Sequence, residues 1–389
     1  MRTAFLWCLL LAAVVPAQNA DREIEKAYEL LMKKAAPPKG ASEAARKAAG
    51  DEFRAALADF LAAYEPRAGE LSTGRRPLAR AALLAGKPAV AIPHLEHFVA
   101  KQTTHEDFEE AWMDLGAAYL DVGAAGKARD LYERFLSERP QSDLATAARF
   151  YLGVSLLDLG RTDDGLAALE LVAASGGDHP LVADARFKLI RALAEAGRSG
   201  EAKTRLSALL KEAPDAAALL SLKEELDRLG SAPPELAGIR TWLGNGPVTL
   251  AAKKGGVVVL CFFADLYEAS RAELGAMEAL AKSFAGRPVT FVALTTYYRR
   301  KSMTQDEEDA LLRRTAATNG WTTTIGVAAD FSLLRAYGVR GVPHTVVVGQ
   351  DGLVVHQKSG AGRADARGSA ALEAAIRRAL EPAESRPAK

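Results

Sequence analysis

The chain has 389 residues and a formal net charge of +1, with 49% hydrophobic and 25% charged residues. That length supplies two or three domains with real cores, and the composition excludes a wholly disordered, collagenous or polytopic membrane protein. Balanced charge argues against nucleic acid as a partner, because phosphate binding needs a clustered basic face, while few aromatics (7%) beside abundant alanine favour packed helices.

Residues 1–17 read as a secretory signal. Arg2 gives a positive start, the stretch from Ala4 to Val15 is apolar without a charge, and Val15-Pro16-Ala17 offers small residues for cleavage. The apolar stretch falls short of the ~20 residues a membrane helix requires, and no later run approaches that length. The mature chain is therefore expected to be exported, periplasmic or otherwise extracytoplasmic, with no integral membrane segment. Cleavage discards Cys8 and leaves Cys261 as the one thiol, which cannot form an internal disulfide.

Amphipathic segments near Arg22 to Lys34 and Ser42 to Ala63 open a helical array. Gly86, Gly123, Gly160 and Gly197 then recur every 37 residues, each after an apolar run and each suited to the left-handed close of a helix. The clearest unit carries Trp112, Leu115, Gly116, Tyr119, Ala128, Tyr132, Phe135 and Pro140. Three others follow in register: Leu78, Ala82, Ala91, Leu95 and Phe98; Leu152, Gly153, Leu156, Leu169 and Val172; Leu189, Leu193, Ala202, Leu206 and Leu209. Position by position the clearest unit resembles the tetratricopeptide repeat, whose usual period of ~34 leaves room here for longer turns such as Ser175-Gly176-Gly177. Small residues let paired helices approach closely while larger ones fill the seam. Ala216 to Leu229 closes the array. The repeat domain is expected over 21–230, with a linker at 231–238 containing Ser231-Ala232-Pro233-Pro234. Such arrays carry no chemistry of their own and present a surface to a protein or peptide partner; a purely architectural spacer is the alternative.

His94, His97 and His105, with Glu96 and Glu106, have the residue types of a metal site, since His94 and His97 share a helix face. Without a Cys-x-x-Cys or a second tight histidine pair, a polar outer face beside buried Leu95 and Phe98 accounts for them, and no metal or cofactor is expected.

From Leu236 the texture changes to alternating strands and helices. Asn245-Gly246 marks a turn between short strands, and Val257 to Ala264 is the continuous apolar run of a strand buried on both faces. A helix from Tyr267 to Phe284, a strand from Val289 to Thr295, helices at Gln305 to Asn319 and Phe331 to Tyr337, a hairpin of Thr345 to Val348 with Leu353 to Gln357 about Asp351-Gly352, and a last helix from Ala370 to Leu380 complete the domain, expected over 239–382 with a tail at 383–389. The fold class is thus multidomain: all-α tetratricopeptide-like repeats followed by an α/β domain.

The run Val257-Val258-Val259-Leu260-Cys261-Phe262-Phe263-Ala264, then Arg271-Ala272-Glu273-Leu274, and later Ala336-Tyr337-Gly338-Val339-Arg340-Gly341-Val342-Pro343-His344-Thr345, resembles the exported TlpA/ResA-type thioredoxin-like family over about 150 residues. The resemblance implies a thiol-disulfide oxidoreductase whose Cys-x-x-Cys sits at Tyr267-Glu268-Ala269-Ser270. Both sulfurs are missing. Dithiol exchange needs a thiolate at the helix start and a second thiol to resolve the mixed disulfide, and Tyr267 and Ser270 supply neither. Cys261 lies in the buried strand and reads as a small core hydrophobe.

The resemblance further implies that Pro343 is cis and that the backbone of Val342 pairs with an extended peptide. Tyr267, Val342, Pro343 and His344 are the binding residues this predicts, with Pro343 as a mere loop former the plainer alternative. Ser270 facing His344 suggests a nucleophile and base without an orienting acid. Asp265 and Glu268 have the spacing of a capping box, and Tyr297-Tyr298-Arg299-Arg300-Lys301 reads as an exposed loop. Two functions remain: an adaptor that binds protein partners without redox chemistry, or an enzyme of the redoxin class, thiol reductant or peroxidase, using Cys261 alone. A structural envelope component is a third.

Overall fold

The computed structural model describes residues 17–35, 40–176, 179–299, 302–360 and 366–381. Residues 1–16 of the expected signal and the tail at 383–389 lie outside them. The chain divides into two compact units, residues 1–159 and 160–389. Fifteen helices and six strands occur among the described residues.

The first unit contains α1 (Ala17–Met32), α2 (Glu43–Tyr64), α3 (Arg75–Leu84), α4 (Pro88–Lys101), α5 (Phe108–Asp121), α6 (Ala125–Glu138) and α7 (Ala145–Asp158). Its repeats close as the glycine spacing requires: Gly86 and Gly123 hold φ of 68° and 82°. The residue after each donates back five positions, Lys87 N–H to the Ala82 carbonyl and Ala124 N–H to that of Tyr119, which satisfies orphan carbonyls of the last turn. Gly116 shows why a small residue is needed between paired helices, since a Cβ there would lie 2.3 Å from the Tyr132 ring. Trp112 packs edge-on against Phe108 and Phe135 and donates its indole N–H to the Leu131 carbonyl at 3.1 Å.

The histidines depart from expectation. His94 is buried, not on a polar outer face, and neither ring nitrogen has a partner. Burial, with Arg75 and His97 beside it, holds its pKa down to about 4. Leu95 and Phe98 share the same core, so the helix turns its His94 edge inward with them. His105 accepts the Asp107 N–H at 3.0 Å. No group of three or more metal-ligating side chains occurs among the described residues.

The second unit begins with α8 (Thr162–Ala174), α9 (Pro180–Glu195), α10 (Ser199–Glu212) and α11 (Ala217–Arg228). A six-stranded sheet follows, built from β1 (Ile239–Leu243), β2 (Val257–Phe262), β3 (Val289–Thr296), β4 (Thr324–Ala328), β5 (His344–Val348) and β6 (Val354–Ser359) in the order β1-β4-β3-β2-β5-β6. Strands β2, β3 and β4 run parallel; β1, β5 and β6 are antiparallel to their neighbours. Helices α12 (Glu268–Ser283), α13 (Gln305–Asn319), α14 (Ser332–Ala336) and α15 (Ala366–Leu380) complete the domain.

Side-chain alternation divides the sheet into two faces. Val257, Val259, Cys261 and Phe263 pack with α12, α13 and α15, whereas Val258, Leu260 and Phe262 pack with Leu333, Leu334 and Tyr337 on and after α14. Two expectations need correction. Asn245-Gly246 does not join two strands: only β1 precedes it, and β1 pairs instead with β4. Pro247 brings no N–H to a ladder, and Gly246 lies so close to Trp242 that a Cβ would fall 2.7 Å from the indole. Strand β4 itself was not anticipated. The segment expected as a linker is tied to the sheet, for Gly230 N–H donates to the Val354 carbonyl (2.8 Å) and Val354 N–H to that of Ser231 (2.9 Å).

Candidate functional site

Strand β2 is buried along its whole length, as its unbroken apolar run dictates. Its chain leaves the sheet after Phe262 and turns through Asp265, Leu266 and Tyr267 into α12. Phe262 stands opposite His344 in the ladder, so this turn and the Val342-Pro343 loop emerge at the same end of the sheet, where ligands of open α/β sheets commonly sit.

Tyr267 is the N-cap residue of α12 and is 50% exposed, while Ser270 is fully buried with no partner for its hydroxyl. Those two positions correspond to the dithiol of the family resemblance. Cys261 lies behind them in β2, between Ala293 and Thr345 on the neighbouring strands, with no exposed surface. Burial, assisted by the Glu273 carboxylate and opposed by a hydrogen bond with Thr345, pushes its thiol pKa up to about 12. A thiol of that acidity is almost wholly protonated near neutrality and is a weak nucleophile.

The Val342–Pro343 peptide is cis. The Pro343 carbonyl accepts the Gly360 N–H at 2.9 Å, whereas the N–H and C=O of half-buried Val342 bond to no described residue. Free backbone groups beside an exposed turn are what strand addition uses.

His344 does not join this surface. It has no exposed area, its ring packs against Phe262 at 6.0 Å, and Nδ1 lies 2.9 Å from the Ser359 hydroxyl while Nε2 is unpartnered. Burial, with Arg228 nearby, lowers its pKa to about 4. Register explains the misplacement: His344 shares the face of Phe262, opposite the face that carries α12. Ser270 and His344 therefore lie on opposite sides of the sheet and form no nucleophile-base pair.

The acids beside the turn are likewise not a capping box. Tyr267 caps without a side-chain bond, and Asp265 instead grips Arg299 through both oxygens at 2.9 and 3.1 Å. Glu308 accepts the backbone N–H of Tyr298 (2.8 Å) and of Arg299 (3.1 Å) and also pairs with the Arg299 guanidinium. The Tyr297 to Arg299 segment is thus anchored rather than an exposed loop, with Tyr297 buried and its hydroxyl bonded to Asp309 and Arg240; Arg300 and Lys301 lie outside the described residues.

This anchoring fixes residues that the sequence did not mark as site residues. Tyr298 packs edge-on against Phe331 at 5.4 Å, and burial, with Tyr267, Asp265 and Glu308 adding to it, pushes its phenol up to about 12. Leu266 and Phe331 remain 36% and 37% exposed. Each follows the carboxyl end of a parallel strand, the one positional signal that marks them.

The family profile described as tetratricopeptide repeat matches residues 184–216, spanning most of α9 and all of α10. The three parallel strands, the antiparallel β5–β6 pair and the cis proline opening β5 define the fold that follows. The chain joins a helical array carrying a tetratricopeptide repeat to a domain of thioredoxin-like fold. No curated protein matches this chain. Among solved structures, it is similar to a thioredoxin-like protein studied in solution in its oxidised form (22% identity, 39% of this chain and 97% of that one, TM-score 0.34). It is also similar to a thiol:disulfide interchange protein DsbE from Chlorobium tepidum (24% identity, 39% and 98%, TM-score 0.32). A third is a secreted Mycobacterium tuberculosis disulfide oxidoreductase (19% identity, 39% and 98%, TM-score 0.29). No helix among the described residues is long and apolar enough to cross a membrane.

Proposed function

We propose that this is an extracytoplasmic adaptor in which tetratricopeptide repeats and a redox-silent thioredoxin-like domain both bind protein partners. The observation that carries the reading is sulfur placement. Tyr267 and Ser270 occupy the dithiol positions, and Cys261, the sole thiol left after the expected signal is removed, is buried and held protonated. What this end of the sheet offers is shape: exposed Leu266, Tyr267 and Phe331, and a Val342 backbone that bonds to no described residue. An extended peptide adding to that backbone would gain two main-chain hydrogen bonds and an apolar contact. The enzymatic alternative needs Cys261 to reach a substrate, and no observation favours it.

Titrating the protein with extended peptides while following backbone amide shifts tests the reading. Shifts centred on Val342 and Tyr267, weakened in Tyr267→Ala, are expected; undisturbed shifts at both would contradict it.

A further inference from the structure

Strand β6 ends the sheet, and an edge strand offers unpaired N–H and C=O groups to any extended chain. Here the second unit covers that edge itself. Residues 230 and 231 bridge to Val354 through two backbone hydrogen bonds. Helices α9 and α11 close over the strand, so that Arg191, Glu225 and Leu226 line one narrow cleft with His356 and Gln357. Two outlying contacts extend the same join: Arg378 on α15 donates to the Glu195 carbonyl, and Arg340 pairs with Glu224 at 2.6 Å.

The groups around His356 are electrically lopsided. Arg378 reaches it from α15, Lys358 from its own strand, Arg191 from α9, and the His344 ring from β5. The carboxylates on hand are Glu225, 3.6 Å from Arg191, and Glu381 and Glu195, whose charges act on Arg378. Burial pushes Glu225 upward, toward its neutral form, against the pull of Arg191. A proton on His356 would thus add a fourth cation to three in a nearly water-free place. Burial first, then those cations, lowers its pKa to about 3.

We propose that α9, α11 and the bridge at residues 230–231 form an acid-released cover over the edge of β6. In the closed state His356 stays neutral; with the cover open, its imidazole is hydrated and takes a proton at its ordinary value. Below about pH 6.5 the open state alone gains the proton, so opening grows as pH falls, up to tenfold per pH unit for this one group. Opening frees the N–H and C=O of Val354. The inference is independent of peptide binding at Val342, which lies at a different strand.

Amide hydrogen exchange on the full chain tests it. Protection of the Gly230 and Val354 amides, corrected for intrinsic exchange, is expected to fall roughly 25-fold between pH 7 and pH 5, while the Cys261 amide in β2, which opens only with the whole domain, stays far better protected at both pH values. In His356→Gln the fall should shrink to less than about threefold. A flat wild-type profile, protection at Val354 equal to that at Cys261, or an undiminished fall in His356→Gln would each overturn the proposal. If the variant does not fold, the wild-type comparison of Val354 with Cys261 decides alone.

Discussion

At the start of α12 the charges are matched and fixed: Asp265 and Glu308 hold Arg299, and Arg271 donates to the Asp265 carbonyl at 2.6 Å. At the edge strand β6 they are only partly matched, with His356 facing three cations and, beside Arg191, a carboxyl that burial drives toward neutrality. The first region holds the positions where the family resemblance implies a dithiol, yet its polar groups serve geometry. The second carries no such implication, yet it buries a histidine whose protonation the surroundings oppose. A fold's customary active end and the place where a given chain stores its responsiveness need not coincide.

The largest expected effect tests the fixed region. Glu308→Ala leaves two backbone N–H groups and a largely buried guanidinium short of a partner, so urea denaturation should report a loss of about 3 kcal/mol. A loss under about 1 kcal/mol would mean that the Arg299 network is not structural.

Next comes the partly matched region. The folded pKa values of His344 and His356 are lowered to about 4 and about 3, so the unfolded chain binds protons first. Stability is then complete above about pH 6.5 and declines on acidification, by up to about 1.4 kcal/mol per pH unit for each histidine. Urea midpoints at pH 7, 6 and 5 read this slope; a midpoint that rises toward pH 5 would contradict it.

The smallest effect concerns Ser270, one of the two positions where the family resemblance implies a cysteine. Ser270 buries a hydroxyl without a partner, so Ser270→Ala should be neutral or stabilising by up to ~1 kcal/mol. A clear destabilisation would reveal a hydrogen bond that the fold depends on.

Much of this architecture is legible in the sequence where the signal is local. The 37-residue glycine spacing marks helix ends that the structure places in the left-handed region, and Thr304 with Glu307 forms a capping box at the start of α13. Strand β4 leaves little local trace because Thr324-Ile325-Gly326-Val327-Ala328 is short, broken by glycine and preceded by threonines. What could not be read depends on distant partners. Asp265 matches a capping pattern, but Arg299 lies 34 residues away and claims it. That Tyr267 and Ser270 carry no sulfur is plain in the residues. The face on which His344 sits was not, because it follows from pairing with Phe262 in a register that no local pattern fixes.

The central claim is that Cys261 does no chemistry. Rates of alkylation at pH 8 should be at least a hundredfold slower in the folded protein than in denatured chain, since a pKa of about 12 leaves roughly one thiol in ten thousand ionised. Insulin reduction should stay at background. Rapid alkylation, with insulin turnover that disappears in Cys261→Ala, would contradict the account.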